Sequence, residues 1–176
     1  KDFVNSIIQK CRNMGIEYLI HIDDDELFYI NKNKFKNVQE FFESIHSNVT
    51  NLNLSNIHFQ NFEAVFPENK KHCFDTNRFL DCKLGNCKSY SNGKSATNVN
   101  LNSQFFGPHN FSGKILNVNT QDACVLHFDS ACFEKWYQKF ENLSHITSEE
   151  KFNNIPFPFY KNSIKLIKQG KNKEIC

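Results

Sequence analysis

Ile16-Glu17-Tyr18-Leu19-Ile20-His21-Ile22-Asp23-Asp24-Asp25-Glu26-Leu27 is the stretch whose reading decides the fold. Tyr18 to Ile22 is a compact apolar run that reads as a buried strand, and the carboxylates Asp23, Asp24, Asp25 and Glu26 follow it directly. Ligands of α/β proteins sit beyond the carboxyl ends of strands. Carboxylates crowded at such a point repel one another unless a cation or nearby donors compensate. If the segment stays extended, Asp23 and Asp25 share one face and Asp24 and Glu26 the other. Hard oxygen ligands of this kind suit Mg²⁺ or Mn²⁺, held by one or two protein carboxylates plus substrate phosphates. Two plainer explanations compete, a solvated acidic loop and N-caps for the following segment, and the apolar strand upstream weighs against both.

Working outward, Phe3, Val4, Ile7, Ile8 and Cys11 follow helical spacing, and Gly15 supplies a stop before the Tyr18 strand. Val38, Phe41, Phe42 and Ile45 mark a second helix. Leu52 to Phe66 is rich in β-formers, ends at Pro67 and predicts one or two strands. Residues 67–95 are polar and Cys-bearing, and read as a loop region with one short strand near Lys94, behind the turn chemistry of Asn92-Gly93. Gly107-Pro108-His109-Asn110-Phe111-Ser112-Gly113 reads as a tight loop around one histidine. Ala123 to Ser130 is an apolar strand that delivers His127 and Asp129 to its end. Asp129 or Ser130 is placed to cap a helix burying Phe133, Trp136, Tyr137 and Phe140. For His127, a core histidine bonded to backbone competes evenly with a ligand role. Thr147-Ser148-Glu149-Glu150 fits a capping box, and beyond Pro158 the Ile164/Ile167 and Lys161/Lys165/Lys168 pattern predicts a basic amphipathic helix.

Composition bounds the class. With 176 residues, 39% of them hydrophobic, and 19 Phe, the chain can bury a core. A net charge of +2 gives no argument for a nucleic-acid partner. No long apolar stretch predicts a membrane span or a signal peptide. The chain lacks an initiating Met, and its opening inside an amphipathic pattern creates an expectation of sequence upstream. Cys73, Cys82 and Cys87 cluster in a polar loop where one disulfide can form, whereas Cys11, Cys124 and Cys132 read as buried thiols within apolar patterns. Sequons at Asn48, Asn53, Asn110 and Asn142 fit a secretory route, though a chain this rich in Asn produces some by chance. Secretory and cytoplasmic locations both stay open.

The ordered set of a helix, Tyr18-Leu19-Ile20-His21-Ile22-Asp23-Asp24-Asp25-Glu26-Leu27, Asn92-Gly93-Lys94-Ser95, Gly107-Pro108-His109, and Leu126-His127-Phe128 with Phe133 to Lys139 behind it resembles glycosyltransferases of the GT-A fold. It looks closest to family 92-like and family 2-like members with an Asp-Xaa-Asp-Glu motif, and the similarity spans residues 3–140. The resemblance implies an α/β fold with a mixed sheet flanked by helices, the carboxy-terminal portion of a GT-A domain. That domain would cover residues 1–145, without its amino-terminal nucleotide-binding strands, and residues 146–176 would form a helical tail. It implies Mn²⁺ or Mg²⁺ held by Asp23, Asp25 and His127, with Glu26 in support. It also implies a nucleotide-sugar donor, a UDP-sugar by default, bound at Asp23, with Lys94 near the acceptor or diphosphate side and His109 lining the cleft for a glycan or glycoprotein acceptor. An inverting transfer needs a carboxylate base, for which Glu63, Asp122 and Asp129 are available. Two other classes remain: a haloacid-dehalogenase-type phosphatase, which also begins with an apolar strand and Asp-Xaa-Asp but expects Thr or Val where Leu27 stands, and a non-catalytic binding module.

Overall fold

A computed structural model describes residues 1–65, 76–85, 87–129 and 133–170. It is an α/β protein with mixed sheets flanked by helices. In chain order the elements are α1 (Asp2–Asn13), β1 (Tyr18–Ile20), β2 (Glu26–Ile30), α2 (Val38–Asn51), β3 (Asn56–Phe59), β4 (Asn61–Ala64) and β5 (Phe79–Asp81). A short 3₁₀ turn (Cys82–Leu84) follows, then β6 (Lys94–Asn98), β7 (Phe105–Gly107), β8 (Asn110–Phe111), β9 (Ile115–Asn117), β10 (Ala123–His127), α3 (Phe133–Ile146), α4 (Glu149–Asn153) and α5 (Pro158–Lys168). The chain divides into two compact units, Lys1–Phe62 with Ser91–His127, and Glu63–Tyr90 with Phe128–Cys176.

The first unit holds the acidic motif. One of its sheets has the order β1-β6-β3-β9 and is mixed: β6 pairs antiparallel with both β1 and β3, and β9 lies parallel to β3. In a second sheet β2 pairs antiparallel with β10, placing His127 opposite Glu26 and Val125 opposite Phe28. Helix α2 is fixed at its start by Asn37, whose side-chain oxygen accepts the Glu40 N–H at 2.8 Å, the usual work of an N-cap. Its Phe41 and Val49 pack with Ile30, Ile57, Phe59, Ala96, Ala123 and Val125 into the main core. Each of the Val, Ile and Phe side chains among them contributes about 1.5–3 kcal/mol by leaving water. Helix α1 lays Ile8 and Cys11 against Val99, Phe105 and Phe111. The chain then leaves α1 through Gly15 at φ +72°, with the Ile16 N–H reaching back to the Cys11 carbonyl at 2.9 Å.

In the second unit α3 and α5 bury Trp136, Phe140 and Ile164 together, and the Trp136 indole N–H donates to the Ser163 hydroxyl at 3.0 Å. A helix begins where the capping box predicts one, but the cap is Ser148, which accepts the Lys151 N–H at 3.3 Å, one residue later than the Thr147/Glu150 pair expected from the sequence. Cys82 and Cys87 form a disulfide; Cys73 and Cys132 lie outside the described residues. Cys11 and Cys124 are buried free thiols, and burial pushes the Cys124 thiol up to about 12.

Several expectations need correction. The strand over Tyr18–Ile22 ends at Ile20, and the carboxylates do not continue it: Asp24 and Asp25 form a turn, after which β2 begins at Glu26. Asp23 and Asp25 therefore do not share the face of one extended segment. The Leu52–Phe66 stretch holds two strands, β3 and β4, whereas Phe66 and Pro67 lie outside the described residues. The polar 67–95 region contributes β5 as well as the start of β6. The Gly107–Gly113 stretch is not one loop: Pro108 and His109 form a hairpin turn joining β7 to β8, which occupies Asn110–Phe111. On α3, Phe133 is 42% exposed, although it stacks on Trp136. The expected cap at Ser130 lies outside the described residues.

Candidate metal and donor site

The end of β1, the Asp24-Asp25 turn and the start of β2 bring the acidic motif against β6 and β10, all within the first unit. At its centre is Lys94, the first residue of β6 and 0% exposed. Its ammonium lies 2.6 Å from Asp23 Oδ2 and 3.2 Å from Glu26 Oε2. A lysine is almost never fully buried unless paired, and here the pairing explains the burial. Glu26 is buried too, and its Oε2 also accepts the Asp23 N–H at 2.7 Å, while the Glu26 N–H donates to the Asp23 carbonyl at 3.1 Å. Together these bonds lock the motif's first and fourth residues around one cation. Asp23 keeps a side chain 48% exposed, so one carboxylate edge faces solvent while the other is held.

Asp25 points elsewhere. Its Oδ2 lies 3.6 Å from Nε2 of His127, the last residue of β10. That separation is too long for a hydrogen bond. It is close to the spacing of two ligand atoms on one cation at about 2.0–2.2 Å from each, roughly 3–3.5 Å. An imidazole nitrogen with a carboxylate oxygen is a donor set that suits Mn²⁺. The His127 ring is 5% exposed and the Asp25 side chain 34%, so the pair opens to solvent on the Asp25 side.

His109, in the β7–β8 turn, donates from Nδ1 to the Gly93 carbonyl at 2.8 Å. Gly93 sits at φ +59°, and a Cβ there would come within 2.6 Å of His58 Cε1. The backbone thus passes close to an imidazole, and the turn before Lys94 is pinned by His109 on its carbonyl and by Asn61, whose side-chain oxygen accepts the Gly93 N–H at 3.1 Å. Burial first, and then the nearby His109, hold the His58 imidazole below its ordinary range.

The three carboxylates considered as bases have local partners. Asp122 pairs with Lys34 at 2.5 Å. In the second unit, Glu63 Oε2 accepts the Lys88 N–H at 2.9 Å and the Ser89 hydroxyl at 3.2 Å, and Asp129 pairs with Lys139. Burial opposes the Lys139 charge, but the charge of Asp129 and its hydrogen bond outweigh this and raise the ammonium above its ordinary range. The structure therefore joins Asp23, Glu26 and Lys94, joins Asp25 to His127, and sets His109 behind the Gly93 turn. Sequence reasoning missed His58 and the burial of Lys94. For His58 the only signal was its place in a β-forming run, which names no partner. No family model, no curated protein and no solved structure matches this chain.

Proposed function

We propose that this chain carries the metal-bearing part of a glycosyltransferase of the GT-A fold, moving a sugar from a nucleotide-sugar donor, a UDP-sugar by default, to a glycan or glycoprotein acceptor. The observation that carries the reading is the approach of Asp25 to His127 at 3.6 Å, beside an Asp23 carboxylate already fixed by a buried lysine. In this reading Asp25 and His127 would hold Mn²⁺ or Mg²⁺, whose chemistry would be to offset the charge on a departing nucleoside diphosphate. Asp23, anchored through Oδ2, offers its solvent-facing edge to hydroxyls of the donor. Lys94 keeps that edge aimed and removes the mutual repulsion of Asp23 and Glu26. His109 lines the acceptor side and steadies the turn that delivers Lys94. Support comes from the approach to 3.6 Å of two residues 102 positions apart in sequence, Asp25 and His127.

Thermal unfolding with Mn²⁺ and a panel of nucleoside diphosphates tests the reading. At a hundredfold excess over the dissociation constant, the pair of ligands should stabilise the chain by about 2.7 kcal/mol. The shift should need both metal and nucleotide, and should vanish in Asp25→Ala. Equal shifts in the wild type and Asp25→Ala would remove the proposed site.

A further inference from the structure

We propose that Glu63, Cys82 and Cys87 become a binding site for a thiophilic divalent cation of the Zn²⁺ class once the Cys82–Cys87 disulfide is reduced. One carboxylate oxygen of Glu63 and the two Sγ atoms all lie within 4.8 Å of one another. All three residues belong to the second unit, so this site is separate from Asp25 and His127 and does not depend on the reading above. Cys82 and Glu63 are buried and Cys87 is half-buried, which gives a reductant and an ion an approach at Cys87.

The ligands are positioned by bonds that do not involve the bridge. Glu63, in β4, is tied to the segment after Cys87 by the N–H groups of Lys88 at 2.9 Å and Ser89 at 3.3 Å and by the Ser89 hydroxyl at 3.2 Å. Cys82 opens the 3₁₀ turn, which Asp81 caps through the Lys83 N–H at 2.9 Å. The scaffold therefore outlasts the S–S bond. A small dithiol supplies the reduction: one of its thiolates attacks a bridge sulfur to form a mixed disulfide, and its second thiolate displaces the protein sulfur. Two electrons and two protons end on Cys82 and Cys87, and the dithiol leaves as its own disulfide. The thiols then stand beside a buried carboxylate, where ionising them in the absence of a cation is costly. A Zn²⁺ ion takes both sulfurs as thiolates, releases their two protons and leaves a fourth, tetrahedral position for water. With the bridge intact, Cys82 and Cys87 have no thiolate to give, so occupancy of this site follows the redox state of the surroundings.

Cobalt titration of the full chain tests this, because thiolate-to-Co²⁺ charge-transfer absorption reports sulfur ligands and is blind to an Asp/His site. The chain, reduced with a dithiol and freed of it without oxygen, should develop this absorption with one equivalent of Co²⁺ and lose it when Zn²⁺ is added. The oxidised chain should stay colourless. Cys87→Ser should abolish the band, and Glu63→Gln, which preserves both thiols, should weaken Co²⁺ binding about tenfold or more. Far-UV circular dichroism checks that each variant remains folded. A folded, reduced chain without the band, a band that survives Cys87→Ser, or an affinity unchanged in folded Glu63→Gln overturns the proposal.

Discussion

Replacing Lys94 by Met removes a cation from between two carboxylates while keeping nearly all of the side-chain volume. The two carboxylates respond differently. Asp23 is half-exposed, so water recovers it and its share is about 1 kcal/mol or less. Glu26 is buried; it retains the Asp23 N–H at 2.7 Å but loses the ammonium 3.2 Å away. Removing one member of a buried ion pair costs about 3–5 kcal/mol, because the other charge stays in a poor solvent. For a chain of this length that corresponds to a fall of roughly 6–20 °C in unfolding temperature, at about 2–4 °C per kcal/mol. Adding Glu26→Gln to Lys94→Met removes the stranded charge, so the double variant should recover more than half of the loss. Urea unfolding followed by far-UV circular dichroism measures both steps. If Lys94→Met stays within about 1 kcal/mol of the wild type, or the double variant is no better than the single one, then the ammonium does not neutralise Glu26 in solution.

Other predictions rest on separate parts of the structure. Because the folded-state pKa of His58 is depressed, its contribution is complete above the unfolded value of about 6.5 and is lost as pH falls through the lower folded value. The decline in urea midpoint between neutral and mildly acidic pH should therefore be shallower in His58→Gln than in the wild type, and equal slopes would argue against the assignment. Gly93→Ala combines a positive φ with a close approach to His58, so it should destabilise by more than about 1 kcal/mol in the same assay. Asn37→Ala, which loses only the α2 cap, should cost about 1 kcal/mol. Reducing the Cys82–Cys87 bridge, five residues apart in sequence, should cost on the order of 2 kcal/mol in the presence of a chelator, read from unfolding with and without a dithiol.

How much of this was legible in the sequence depends on where the contrast between inside and outside was carried. Helices α1 and α2 and strand β1 were readable because their apolar residues recur at the expected period. Strand β2 was not. Its inward set is Glu26, Phe28 and Ile30, and its outward set includes the exposed Leu27 and Tyr29, so the alternation that marks a half-buried strand is almost flat. Strand β6 is buried throughout, yet reads Lys-Ser-Ala-Thr-Asn, because its burial is satisfied by partners rather than by apolarity. Lys94 is the extreme case: only the fold places it beside Asp23, 71 residues away. Residue chemistry thus named the participants at the acidic motif, and strand register decided which of them meet.

That register is protected by the core. Along β10, Ala123, Val125 and His127 occupy one face, and along β2, Glu26, Phe28 and Ile30 do the same. A slip of one residue would turn His127 away from Asp25, and it would also lift Ala123 and Val125 out of the main core. Exposing Val125 alone costs about 1.5 kcal/mol or more, well above the worth of a 3.6 Å contact between Asp25 and a histidine. Glu26 and His127, at the ends of these strands, are therefore held opposite each other, and Asp25 next to Glu26 is carried with them, by apolar residues that take no part in any chemistry. Under the proposed function, conservative changes at Val125 or Phe28 should weaken Mn²⁺ binding only as far as they loosen this pairing, whereas Asp25→Ala should abolish it with the register intact.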